Sequence, residues 1–260
     1  MALLPEYRED LPRVKRFSLW ARIAHWGHAV TFFACFVSGM VIFLQSSTLA
    51  APFGGMAGAS MVHKASALGL MVFMLAYLVF GFRSLLRWGR EVLRFGKRDV
   101  AFLLCFPRKF FGLKVDVPVQ TKLNGGEKLN SIISSSCVLA LVVSGLIIWV
   151  PDLFSVAVVQ WSYLVHAVAM IVAVSLAIMH AYLGSLHPDT GEAFWGMWKG
   201  TVRADWAKKH HGIWFDEEFG DSLSNPIQVS DEKSADGGMS NSEHSSNEGP
   251  GVQPQTFAGK

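Results

Sequence analysis

Between Trp161 and Leu186 an otherwise apolar stretch carries two ionisable side chains, His166 and His180. The 14 positions between them are close to four helical turns, so a straight helix sets both imidazoles on nearly one face, about 21 Å apart along its axis. An ionisable group in so apolar a span is costly and usually faces the interior of a bundle for a functional reason. Neutral imidazole is a common metal ligand, and two on one stripe suggest one ligand each to two stacked, metal-centred cofactors. The partners must come from other helices, where His25, His28 and His63 are the candidates.

The elements that position them follow from composition. The chain is 51% hydrophobic and 17% charged, and the charges avoid four blocks: Ile23 to Leu44, Ala65 to Phe82, Leu129 to Val150 and Leu153 to Leu186. That is membrane composition, and each block can supply the roughly 20 residues of a crossing. The fourth is too long for one crossing, so a loop including Pro151 and Asp152 is expected to precede its helix. The first block is too long for a cleaved signal and is expected to be retained. The expected fold is an all-α four-helix transmembrane bundle spanning residues 23–186, after a segment 1–22.

Basic residues orient it. Five lie before the first block and eleven between Arg83 and Lys128, while Lys199, Arg203, Lys208 and Lys209 follow the fourth; the other two connections hold only Lys64. Both termini and the basic 83–128 loop are therefore predicted to be cytoplasmic. Snorkelling at anionic lipid is the plain account of that loop, and partner docking the sharper one. In segment 187–219, Phe194, Trp198, Val202 and Trp206 recur every four residues, which predicts a short helix in the interface plane. Residues 220–260 turn to Ser, Asn, Asp and Gly and predict a disordered tail.

With alternating directions, the histidines sort by depth into an inner pair, His25 with His180, and an outer pair, His63 with His166. His28, one turn from His25, is a rival for the inner position. Facing imidazoles from a bundle hold haem without covalent attachment, and two per iron favour electron transfer over oxygen chemistry. Gly39, Gly69, Ala167 and Ala169 would leave room for a macrocycle. His187, His210 and His211 lie outside the spans and are expected to be surface side chains. Cys35, Cys105 and Cys137 form neither a haem-attachment nor an iron–sulfur pattern, so electrons must enter from another subunit or a soluble donor. No phosphate loop, dinucleotide fingerprint or nucleophile elbow is present.

These residues resemble the membrane cytochrome b, or gamma, subunit of respiratory formate dehydrogenases, within the wider family of di-haem quinone-linked cytochromes b. The resemblance covers roughly Val14 to Glu218. It rests on Arg22-Ile23-Ala24-His25-Trp26, on His63, on Asn124-Gly125-Gly126-Glu127-Lys128, on His166 with His180, and on the run from Trp206 to Trp214 that includes Lys208-Lys209-His210-His211. It implies two haem b groups, an inner one on His25 and His180 and an outer one on His63 and His166. It places a quinone beside the inner haem, near Asn124, Gly126, Glu127 and His180. A familiar form of that loop has Gln where this chain has Glu127, which would exchange an amide donor for a proton acceptor. The implied partners are an iron–sulfur beta subunit and, through it, a catalytic formate dehydrogenase alpha subunit, at a bacterial inner membrane, with no nucleic acid. A hydrogenase or other dehydrogenase cytochrome, and a haem-free anchor, are the alternative functions.

Overall fold

The computed structural model describes residues 4–224. Four of its helices are long and apolar enough to cross a membrane: α1 (Leu19–Leu44), α2 (Met56–Phe80), α5 (Gly125–Trp149) and α6 (Val156–Ala181), the last extended by a π-helical turn at Tyr182–Leu186. Between α2 and α5 lie α3 (Phe82–Leu93) and α4 (Lys97–Phe110); after α6 come α7 (Ala193–Trp198), α8 (Ala204–His210) and α9 (Gly212–Ser224). Two short strands, β1 (Arg13–Lys15) and β2 (Thr201–Arg203), pair antiparallel with Val14 opposite Val202.

Local chemistry sets these boundaries. Ser18 and Ser155 cap α1 and α6, their hydroxyl oxygens accepting from the backbone N–H of Ala21 and Val158. Gln45 ends α1 at φ 50°, and Gly54 and Gly55, both at positive φ, turn the chain into α2. The loop predicted around Pro151 and Asp152 is a single 3-10 turn, Pro151–Leu153, before α6.

The four long helices form two hairpins, α1 on α2 and α5 on α6. Gly27 lies so close to Phe73 that a Cβ would fall 2.5 Å from its ring, and Gly69 meets the Thr31 methyl group. Gly69 therefore lets α1 and α2 approach closely. Outward faces carry large apolar side chains such as Val30, Phe33, Leu75, Leu139 and Ile171, all more than half exposed, as a lipid-facing surface requires.

The interfacial helix predicted through Phe194, Trp198, Val202 and Trp206 is not one helix. Gly200, at φ 91°, stops α7; Val202 enters the strand pair, and Trp206 begins again on α8. Burial does not follow the recurrence either: Trp198 is half exposed, while Val202, Trp206, Ala207, Trp214 and Phe215 form a compact core at this end of the chain. The Arg16 guanidinium lies between two of its rings, 5.4 Å from Trp206 and 5.5 Å from Trp214. His211 is 1% exposed, its Nδ1–H donating to the Thr121 carbonyl at 2.9 Å, and His210 stacks on Trp206. These two are core side chains, contrary to the surface expectation; His187 is half-buried against Phe110. Helix α9 runs to Ser224, past the boundary at 220, and residues 225–260 of the predicted tail lie outside the described residues.

The basic 83–128 segment folds as α3 and α4 followed by an extended return. Lys128, 2% exposed, anchors it by reaching Asp99 at 3.1 Å and Glu91 at 3.8 Å. Gly125 completes the junction, since a Cβ there would lie 2.5 Å from the Asp99 carbonyl.

Two measurements test this end of the fold. Lys128→Met leaves the Asp99 carboxylate buried and uncompensated, and should destabilise the protein by about 3–5 kcal/mol, with Asp99→Asn in the same chain restoring most of it; melts of the detergent-solubilised variants read this, and equal melts for single and double variants would refute it. Burial pushes His210 down to about 4 and His211 well below its usual range, so both rings are neutral in the folded core. Free imidazole titrates near 6.5, so the folded state binds fewer protons than the unfolded one between about pH 4 and 6.5, and loses stability as pH falls through that window. Hydrogen exchange of the Trp206–Phe215 amides should accelerate from pH 7 to 4.5 once corrected for intrinsic rates, and stay level from pH 7 to 8.

Candidate functional site

Close packing holds each hairpin together but does not continue between them. What meets across the gap is histidine. At the end of the bundle carrying the basic segments, His25 of α1 faces His180 of α6, with ring centres 6.1 Å apart. At the opposite end His63 of α2 faces His166 of α6 at 6.3 Å. His28 takes no part in a pair: its ring stacks on Phe32 of its own helix.

These separations bear on what could lie between the rings. Two imidazoles facing one another across a metal, each nitrogen about 2 Å from it and about 1.2 Å from its own ring centre, have centres about 6.4 Å apart. Both pairs stand at that spacing, beyond direct hydrogen-bond contact. The two pairs would suit a metal-centred group such as b-type haem, each ring offering one nitrogen to hold it.

The second set of contacts fixes the rings. His63 Nδ1–H donates to the Cys35 carbonyl at 3.0 Å, with Ser38 Oγ 3.3 Å away; His166 Nδ1 lies 3.0 Å from Ser144 Oγ. Gly39 and Gly145 back the same two rings, since a Cβ at either would lie 3.1 Å or 3.2 Å from the Cε1 atom of His63 or His166. The two hairpins thus repeat one device, a Val-Ser-Gly run (37–39 and 143–145) on one helix seating the histidine of the other. That short duplication was the signal for Ser38, Ser144 and Gly145, which the reading of the sequence passed over.

At the basic end Arg22 and Trp26 dock α1 on α7, with Arg22 Nε and Trp26 Nε1 donating to the Met197 carbonyl at 3.2 and 3.1 Å. His25, between them in sequence, is left facing α6. Beside it opens a cavity of about 1310 Å³, walled by Ala21, Ala24, Met74 and Val138 on its apolar side and by Arg87, Arg94, Lys122 and Lys128 among the charged groups. It is larger than a typical small-molecule pocket.

Of the predicted quinone residues, Asn124, Gly126 and Glu127 stand next to this cavity in sequence but not in its wall, which Thr121, Lys122, Leu123 and Lys128 provide. Asn124 caps α5. Its Oδ1 accepts from Glu127 N at 2.9 Å, while Glu127 Oε2 accepts from Asn124 N at 2.8 Å, a reciprocal capping box. Glu127 Oε1 also lies 3.4 Å from the Arg16 guanidinium. The carboxylate in place of Gln is thus engaged by a helix start and a buried cation. The aromatic core beneath holds the loop: Ile213 N–H donates to the Gln120 carbonyl, Gln120 Oε1 accepts from Gly125 N, and Arg16 donates to the Lys122 carbonyl.

Comparison with known proteins agrees with this geometry. The chain is similar to the nitrate-inducible formate dehydrogenase cytochrome b556(Fdn) subunit of Escherichia coli K12, 29% identical over 206 residues, covering 75% of this chain and 87% of that one. It is similar also to the formate dehydrogenase cytochrome b556 subunit of Haemophilus influenzae, 27% identical over 79% of this chain and 84% of the other. The Escherichia coli cytochrome b556(fdo) subunit is 27% identical over 78% and 92%. The family described as prokaryotic cytochrome b561 matches residues 16–200, which contain all four paired histidines, both Val-Ser-Gly runs and the capped loop. The chain is a member of the prokaryotic cytochrome b561 family.

Proposed function

We propose that this protein is the membrane-anchoring cytochrome b subunit of a formate dehydrogenase, carrying electrons across a bacterial inner membrane to quinone. The observation that carries the reading is the pairing of imidazoles at both ends of one inter-hairpin gap, each at the spacing a shared metal requires. Two b haems, when bound, supply one-electron carriers at two depths in the bilayer. His25 and His180 hold one and His63 and His166 the other, and four committed imidazoles leave no open coordination position. The formate dehydrogenase assignment follows the names of the relatives, and with it an iron–sulfur subunit delivering electrons at the His63 end and a catalytic subunit beyond it.

The Lys/Arg bias supports both termini, and the His25 end of the bundle, on the cytoplasmic side. The chain divides into a cytoplasmic segment 1–22, the di-haem domain 23–186 with its basic loop 83–128, and the cytoplasmic 187–219 core that braces the loop before α5. At that loop two donors have no acceptor among the described residues, the Asn124 side-chain NH2 and the Gly126 N–H at the first turn of α5. They suit a quinone carbonyl, with His180 nearby as the resemblance implies. Quinone reduction here takes two protons from the cytoplasmic side, while formate oxidation on the far side would release one there.

The purified chain should show reduced b-type bands. His166→Ala should remove one haem and His180→Ala the other; loss of both from either variant would leave the separate pairs unsupported. Asn124→Asp keeps the capping oxygen and removes the amide donors, so quinone reduction should slow about tenfold, the worth of one hydrogen bond of about 1.4 kcal/mol, with spectrum and melting temperature unchanged. Unaltered quinone kinetics would take the loop out of the site.

A further inference from the structure

We propose that Ser144 and Ser38 are positioning residues whose hydrogen bonds hold the haem at the His63/His166 end at a lower reduction potential than the one at the His25/His180 end. The proposal rests on the two-haem reading above. Its basis is a count of protons. A serine hydroxyl has one hydrogen, and Ser144 gives it to the Ala140 carbonyl at 2.5 Å. Toward His166, 3.0 Å away, the same oxygen can only accept, so His166 Nδ1 carries the ring proton. Ser38 likewise gives its hydrogen to the Ala34 carbonyl at 2.6 Å, and His63 Nδ1–H is shared between the Cys35 carbonyl at 3.0 Å and the Ser38 oxygen at 3.3 Å.

Both rings are thereby locked in the tautomer that leaves Nε2 free as a ligand. An N–H donated to a carbonyl or hydroxyl oxygen makes that ligand more basic, which favours the oxidised metal. Gly39 and Gly145 keep each ring seated on its serine, because a side chain at either would press on Cε1.

The other end lacks this arrangement. Among the described residues neither His25 nor His180 has a hydrogen-bond partner, and the wall of the cavity beside His25 carries more basic than acidic side chains, Arg87, Arg94 and Lys122 among them, while Lys128 is paired with Asp99. Weaker ligands and nearby cations both favour the reduced metal. The two ends therefore differ in the sense that draws electrons from the His63 end toward the quinone loop.

Potentiometric titration of the b-type absorbance in the purified full-length chain tests this. Two waves are expected, and Ser144→Ala should move the lower one upward, raising its reduced-to-oxidised ratio at fixed ambient potential severalfold, up to about tenfold, or 59 mV for one electron. The upper wave should stay, and Ser144→Thr, which keeps the hydroxyl, should restore the wild-type midpoint, as a purely structural effect would not. Should Ser144→Ala lose a haem, Ser144→Cys, a weaker acceptor, is titrated with the same expectation. Movement of the upper wave, of both together, or of neither would overturn the proposal. A wild-type chain without b-type bands would sink the two-haem reading as well, whereas two waves with an unmoved lower one sink this inference alone.

Discussion

The structure depends on imidazoles meeting across a gap that no backbone closes. Within each hairpin, glycine and small side chains let the helices approach closely, as at Gly27 against Phe73. Between hairpins that packing stops. In lipid there is no hydrophobic drive to bring two apolar hairpins together, since the hydrocarbon solvates their surfaces as well as they solvate each other. Directional bonds must supply the association: Lys128 of α5 makes them with Asp99 and Glu91 at the basic end, and the four histidines face one another in pairs across the gap.

The polar ends of the bundle solve a different problem. In the aqueous segments a small conventional core can form, and the run from Trp206 to Trp214 builds one around Arg16 and β1. Its effect reaches α5 through Gln120, Thr121 and Lys122, whose carbonyls or side chains are each bonded by a group of this core or by the helix start itself. The loop before α5, whose Thr121 to Leu123 stretch walls the cavity, is thereby fixed from the other side. Lys128 and Asp99 do the same from the α4 side, with a buried ion pair that is worth more as a register pin than as net stability.

Much of this was legible in the residues. Uncharged blocks placed the ends of the four spans to within about four residues except at the start of α2, which the block from Ala65 sets nine residues late because Lys64 lies inside the helix that begins at Met56. Depth sorting of His25, His63, His166 and His180 needed only alternating direction, and the structure brings those four together in the expected pairs. His28 could not be set aside from sequence, since three residues change depth by only about 4.5 Å; its ring turns onto Phe32 of the same helix, a side-chain direction that spacing alone leaves open. The helix expected at Phe194–Trp206 failed because a recurrence of large apolar residues cannot register Gly200, whose positive φ ends α7 and lets Val202 enter a strand. His210 and His211 misled for a related reason: beside two lysines they read as solvated, yet burial was decided by Trp206 and Trp214 nearby. Ser38 and Ser144 were hidden by ordinariness, since serine in a membrane helix usually bonds only its own i−4 carbonyl.

The division of the paired histidines among helices sets a distance. Helix α6 contributes to both pairs, while α1 and α2 contribute to one each. Since His166 and His180 share one rigid element, the separation of the two sites is set by helical rise and not by how the hairpins slide on each other. Between them Ala169 and Ala173 are buried, and Ala169 lies beside Cys137 and Ala140 of α5 at the seam of its own hairpin. A bulky side chain at Ala169 would therefore press α6 away from α5. A single helix with one histidine of each pair near each end is thus the ruler of the molecule. The hairpin of α1 and α2 can adjust locally at either end while the span between sites stays fixed.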